Sequence, residues 1–187
     1  MSEVVVKKEE SIYKVAINLI GACLISGVII AIVYFITAPI AVEKNEMMKQ
    51  QSMKSLVKDA DTFKEVSGKE EWFTAEKDGK VIAYVIPGES KGYGGAIKML
   101  VAVDKDGKVL DYSILTSNET PGLGSKAAEE PFKGQFKGKQ AEALTVTKDA
   151  SNKENIQAMT GATISSKAVT LAVKNAVEEV VQFTGGK

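Results

Sequence analysis

Two residue types are missing altogether from this 187-residue chain: it has no histidine and no arginine, so all 24 of its basic residues are lysine. The first absence excludes a Ser-His-Asp triad and any imidazole ligand to a metal or haem. The second excludes a bidentate guanidinium clamp on phosphate. Cysteine occurs once, at Cys23. A single thiol can neither close an intrachain disulfide nor hold an iron–sulfur cluster, and inside an apolar run it reads as a small packing residue. Neither sign of charge is in excess, because 24 acidic residues balance the lysines, and that argues against a nucleic-acid partner. Any redox chemistry in such a chain needs a borrowed organic cofactor.

What the chain does have is one long apolar run. No charged residue occurs over residues 15–36, and only Asn18, Ser26 and Thr37 interrupt the apolar character up to Ala38. At ~1.5 Å per helical residue the run crosses a bilayer core of roughly 30 Å. The apolar region of a cleaved signal peptide is shorter, about 7–15 residues. Residues 15–38 therefore read as a retained single-pass membrane anchor behind a short polar tail, residues 1–14. Lys7, Lys8 and Lys14 before the run are matched by Lys44, Lys49 and Lys54 after it, so lysine bias selects no orientation. Pro39 is expected to end the span. Residues 39–58 read as a charged connecting helix in which Met47, Met48 and Met53 are packing residues, and one domain follows over residues 59–187.

Within that domain the pattern changes to strands. Residues 72–75 and 80–86 flank Lys77-Asp78-Gly79, and residues 97–103 and 109–116 flank Asp104-Lys105-Asp106-Gly107, which predicts two hairpins. Residues 88–95 carry four glycines around Ser90, Lys91 and Tyr93 and read as a loop, in which Gly92-Tyr93-Gly94-Gly95 either borders a ligand or, as is usual for such loops, only turns the chain. Residues 143–147 read as a further short strand. Ala168, Leu171, Ala172 and Ala176, with valines between them, recur at helical spacing and predict a last helix ending near Phe183. Strands in the middle with helices at both ends predict an α+β domain.

Two stretches stand out from this background. Met159-Thr160-Gly161-Ala162-Thr163-Ile164-Ser165-Ser166 enters the last helix, with Thr163 and Ser166 at N-cap and first-turn positions. By itself this is a hydroxyl-rich cap. It also suits phosphate, since a helix N-terminus presents unpaired N–H groups and a positive dipole end, and Gly161 permits a close backbone approach. Ser117-Asn118-Glu119-Thr120-Pro121-Gly122-Leu123-Gly124-Ser125-Lys126 follows the second hairpin. Its Pro and two Gly fix a compact loop that either connects strand to helix or turns its N–H groups to a ligand.

Thr160-Gly161-Ala162-Thr163 resembles the Ser/Thr-Gly-Ala-Thr flavinylation motif of FMN-binding domains in the Rnf and Nqr respiratory complexes. Glu119-Thr120-Pro121-Gly122-Leu123-Gly124 resembles the ETPGLG loop of the same family. Both occur in the family's order behind one anchor helix, and the length suits the Rnf G subunit better than its longer Nqr counterpart. The resemblance implies FMN joined through its phosphate to the Thr163 hydroxyl by a separate flavin transferase. Thr160, Gly161, Ala162, Ser165 and Ser166 then surround the linker phosphate, with Lys167 as a possible counter-charge. Glu119, Thr120, Gly122, Leu123 and Gly124 belong to the loop against the isoalloxazine ring. Gln157 stands where the extended motif usually carries an acidic residue.

The resemblance further implies an electron carrier rather than a catalyst in its own right. It would serve a complex that passes electrons between reduced ferredoxin and NAD and couples the transfer to Na⁺ or H⁺ movement. The implied partners are the other membrane subunits of that complex, and the FMN domain is expected on the outer face of the cell membrane. Two other readings stay open on the residues alone. One is a stand-alone membrane-tethered FMN carrier for a different reductase; the other is a non-redox, membrane-anchored binding module in which the hydroxyls around Thr163 only cap a helix.

Overall fold

The computed structural model describes residues 12–185, and the chain divides into two compact units, Met1–Met47 and Met48–Lys187. Of the polar tail expected over residues 1–14, residues 1–11 lie outside the described residues, and Ile12 already begins helix α1 (Ile12–Leu56). In the first unit the large apolar side chains of α1, among them Leu24, Ile29 and Phe35, are exposed. Among the described residues α1 is the one helix long and apolar enough to cross a membrane. Ser26 and Thr37 turn their hydroxyls back onto the Ala22 and Val33 carbonyls, each at 2.8 Å, so neither presents an unpaired polar group on the apolar surface. Pro39, read as the end of the span, stands inside α1. It removes one donor from the hydrogen-bond ladder without stopping the helix.

The second unit is built in layers. Five antiparallel strands follow in chain order: β1 (Thr62–Glu65), β2 (Phe73–Lys77), β3 (Lys80–Lys91), β4 (Ala96–Asp104) and β5 (Val109–Thr116). Side chains alternate across a strand, and β4 is apolar on both sides. Ile97, Met99, Val101 and Val103 enter one core cluster, and Leu100 and Ala102 enter the other. Met53 and Leu56 from the last turns of α1, with Val57, complete the second cluster. Helix α3 (Thr163–Thr184) covers the first with Ala168, Val169, Ala172, Val173, Ala176, Val177 and Val180. Valine is a poor helix former, at a cost of up to about 0.7 kcal/mol relative to Ala. Burying each one returns roughly 1.5–3 kcal/mol, so packing on the sheet decides that this segment is helical.

The expected hairpins and the last helix are present. The β2–β3 turn consists of Asp78 (φ 50°) and Gly79 (φ 73°), the pair of positive φ angles that a two-residue type I′ hairpin turn requires. The loop expected over residues 88–95 is shorter, because β3 continues to Lys91 and pairs Gly88, Glu89, Ser90 and Lys91 with Met99, Lys98, Ile97 and Ala96. Gly88 is there for room: a Cβ on it would sit 3.3 Å from Met99 Cγ and 3.4 Å from the Ala172 carbonyl oxygen of α3. The strand expected over residues 143–147 shrinks to β6 (Val146–Thr147), which pairs in parallel with β7 (Ile156–Gln157). Before β6 come short turns of 3₁₀ helix and one four-residue helix, α2 (Glu130–Lys133).

Tyr112 on β5 locks this irregular segment to the sheet. Its ring is fully buried edge-on to Phe136, with centroids 5.1 Å apart, and its hydroxyl donates to the Ala127 carbonyl at 2.5 Å. Burial, reinforced by the nearby Asp111 and Glu130 carboxylates, pushes the phenol far above its ordinary value near 10. The folded state therefore holds this proton more tightly than the unfolded chain does. The stability so contributed is intact below about pH 10 and is lost progressively as the pH rises beyond it. A phenolate absorbance titration should show one of the five tyrosines ionising only with unfolding. Tyr112→Phe, which strands the buried Ala127 carbonyl, should cost roughly 1–3 kcal/mol in denaturant unfolding.

Candidate functional site

Three segments meet at the start of α3: the turn over residues 92–95, the loop over residues 117–126, and residues 159–166. The first is closed by the Gly92 N–H, which donates to the Gly95 carbonyl at 2.7 Å. In the second, the Leu123 and Ser125 N–H groups both donate to the Thr120 carbonyl, at 3.1 and 3.3 Å, and the Gly122 N–H donates to Ser125 Oγ at 2.9 Å. In the third, Gly161 takes φ 76° and the Ala162 N–H returns to the Met159 carbonyl at 3.1 Å.

This last turn corrects the hydroxyl-cap reading. Thr163 is the first helical residue of α3 rather than its N-cap; Ala162 holds that position, and no side chain caps the helix. The first-turn N–H groups of Thr163, Ile164 and Ser165 have no partner inside the helix. Ser166, expected beside a phosphate, is fully buried behind the turn. Its Oγ donates to the Ala162 carbonyl at 2.9 Å and accepts the Met159 N–H at 3.0 Å, so it shapes the turn instead of facing outward.

Glu119 joins the three segments. It is 8% exposed; its Oε1 accepts the Gly94 N–H at 2.9 Å, and its Oε2 accepts the Ser165 hydroxyl. Both carboxylate oxygens are thus engaged by the chain itself. The packing around Glu119 leaves no space for side chains on the neighbouring glycines. A Cβ on Gly94 would meet the Asn118 carbonyl carbon at 2.7 Å, and one on Gly124 would meet Ser165 Oγ at 2.6 Å and Glu119 Cβ at 2.8 Å.

The result is a cleft of about 530 Å³. Of the residues singled out in the sequence, Glu119, Thr120, Leu123, Gly124, Gly161, Ala162, Thr163 and Ser165 line it, as does Tyr93. Thr160, Gly122 and Ser166 are not among its lining residues. Gln157 sits in β7, where its N–H donates to the Gln135 side chain at 2.7 Å, and Lys167 is exposed outside the lining. Ile164 lines the cleft at 55% exposure and was not anticipated. Its signal was an apolar residue between hydroxyls on a first helical turn. Thr163 is half-buried, while Tyr93 (73%) and Leu123 (43%) leave much of their apolar surface open. A larger groove of about 660 Å³, bordered by Leu56, Ile82, Leu110 and Lys133, holds no residue of either motif.

The cleft lies where a glycine-rich turn, a Pro-Gly loop and an uncapped helix start converge beside an antiparallel sheet, and these segments fall in an FMN-binding domain by family match. That family matches this chain over residues 92–178, a stretch that contains all three segments. The chain is 59% identical over 181 residues to the G subunit of the proton-translocating ferredoxin:NAD(+) oxidoreductase complex of Clostridium ljungdahlii, covering 97% of this chain and 98% of the relative. It is 30% identical to the G subunit of the Na(+)-translocating ferredoxin:NAD(+) oxidoreductase complex of Acetobacterium woodii, covering 89% of this chain and 90% of the relative. The crystal structure of the C subunit of Na(+)-translocating NADH-quinone reductase from Parabacteroides distasonis superposes with a TM-score of 0.50 at 26% identity, over 62% of this chain and 63% of that one. The chain belongs to the G-subunit family of ion-translocating ferredoxin:NAD(+) oxidoreductase (Rnf) complexes, as its two motifs implied.

Gly124→Ala should separate Ser165 from Glu119, because neither the loop nor the buried carboxylate can retreat. Overpacking of this kind costs about 1–3 kcal/mol. A lowered denaturation midpoint measures it, and an unchanged one would mean that the loop yields freely.

Proposed function

We propose that this chain is an electron-relay subunit of an Rnf-type complex, carrying one FMN in the cleft through a phosphoester to Thr163. The observation that carries this reading is that both motifs share one cleft: Thr163 lines it together with Glu119, Thr120, Leu123 and Gly124.

The cleft fits the group. Its volume lies within the roughly 300–1,000 Å³ typical of small-molecule sites. The N–H groups at the start of a 22-residue helix favour a phosphate. Tyr93, Leu123 and Ile164 supply open apolar surface for a flat aromatic ring system. FMN in this place supplies electron transfer, singly or in pairs. The remaining work is done by the chain. Thr163 contributes the hydroxyl oxygen of the ester, and the first-turn amides balance the phosphate charge. Gly161 is suited to this turn, since it takes φ 76° and a Cβ there would crowd Leu123 Cδ2 at 3.2 Å. The chain has no histidine, and Glu119, the one carboxylate among the described residues lining the cleft, already accepts from Gly94 and Ser165, so none of those residues offers Thr163 a free general base. Attachment therefore falls to a separate flavin transferase.

On this reading residues 15–38 anchor the chain in the bilayer, residues 39–58 connect, and the domain over residues 59–187 stands on the outer face. Its partners are the other membrane subunits of a complex that exchanges electrons between ferredoxin and NAD⁺ and moves an ion, as the relatives' names state for theirs.

Intact mass after co-expression with a flavin transferase tests this. The wild-type chain should gain one FMN less one water, and Thr163→Ala should gain nothing while keeping its fold by circular dichroism. Retained covalent flavin in that variant would move the attachment to Thr160 or Ser165. An unmodified wild type, with the transferase active on a control substrate, would reject the covalent reading.

A further inference from the structure

Glu119 carries more than the three-way junction requires. Its two hydrogen-bond donors, the Gly94 N–H and the Ser165 hydroxyl, are both uncharged. Among the described residues no lysine ammonium forms an ion pair with it, and the chain contains no arginine or histidine to do so. A glutamine has the same shape. Its carbonyl oxygen can accept the Gly94 N–H, and its amide can donate to the Ser165 oxygen. Holding the segments together therefore needs no charge, and yet a buried, unpaired carboxylate borders the cleft.

Resting on the reading that FMN occupies this cleft, we infer that the Glu119 carboxylate lowers the reduction potential of the flavin held there. A carboxylate held at the edge of the cleft opposes negative charge that develops beside it. Each electron that arrives from a one-electron donor ahead of a proton adds one negative charge to the cleft, and Glu119 opposes that addition. The oxidised state is favoured, and the bound flavin becomes the stronger reductant. The tight enclosure keeps the charge in place, because Gly92 and Gly124 leave no room for it to swing aside. A Cβ on Gly92 would lie 3.0 Å from Glu119 Cδ, and one on Gly124 would lie 2.8 Å from its Cβ.

The experiment is a reductive titration with dithionite and reference dyes on the full-length flavinylated chain, with intact mass establishing one flavin per molecule. Glu119→Gln should raise the potential by at least a tenfold change in the equilibrium constant, which is about 59 mV for a one-electron couple. A smaller rise, or a fall, overturns the inference. Glu119→Asp keeps the charge and should stay within that tenfold; a rise as large as that of Glu119→Gln would assign the effect to displaced packing and also overturn it. Should Glu119→Gln not accumulate as folded protein, Ser165→Ala replaces it. Losing the hydroxyl leaves the carboxylate less compensated, so the potential should fall, and an unchanged or higher value counts against the inference. Failure of the wild-type chain to carry flavin would instead remove the cleft reading itself.

Discussion

Close contact between α3 and the sheet governs where every other part of the globular unit can lie. The contact face of the helix is made of alanines and valines, and Gly88 on β3 leaves space for the Ala172 carbonyl to come near. A larger residue at either place would lift the helix away from the strands. Held this close, α3 delivers its first turn to the point where the turn after β3 and the loop after β5 also arrive. Two stretches some way apart in the chain then line one cleft. The Glu119–Ser165 hydrogen bond joins two surfaces that the helix has already brought together.

Much of this was readable in advance, and the reasons are local. The hairpins announce themselves through Asp78-Gly79 and Asp104-Lys105-Asp106-Gly107, the last helix through its spacing, and the cleft through two short motifs. What could not be read depends on contacts distant in sequence. Pro87 and Gly88 speak for a loop, but pairing with β4 holds them in a strand. A two-residue parallel pair such as β6 with β7 has no periodicity to detect. Ser166 looks like a ligand hydroxyl until the turn at Gly161 shows it pointing backwards. Tyr112 gave no hint of its buried hydroxyl, since its partner at Ala127 lies in an irregular segment.

Helix α1 serves two different solvents along one length. Over the first unit its side chains are exposed and apolar, and a bilayer suits them. Its last turns belong to the second unit, where Met53 and Leu56 are buried against the sheet. Lys49 shows the change. In the sequence it counts among the charges flanking a span, but its ammonium pairs with Glu71 at 2.8 Å and lies 5.0 Å from the centre of the Phe73 ring. It is a residue of the fold, and for membrane orientation it is a weaker marker than Lys44 or Lys54.

The start of α3 leaves its first turn without a cap from the chain's own side chains. Helix starts favour a serine, threonine, aspartate or asparagine cap, whereas here Ala162 offers none and the Ser165 and Ser166 hydroxyls are directed elsewhere. A phosphate esterified at Thr163 would complete that turn from outside the encoded sequence. On the proposed attachment, the same first-turn amides would serve both the fold and the cofactor.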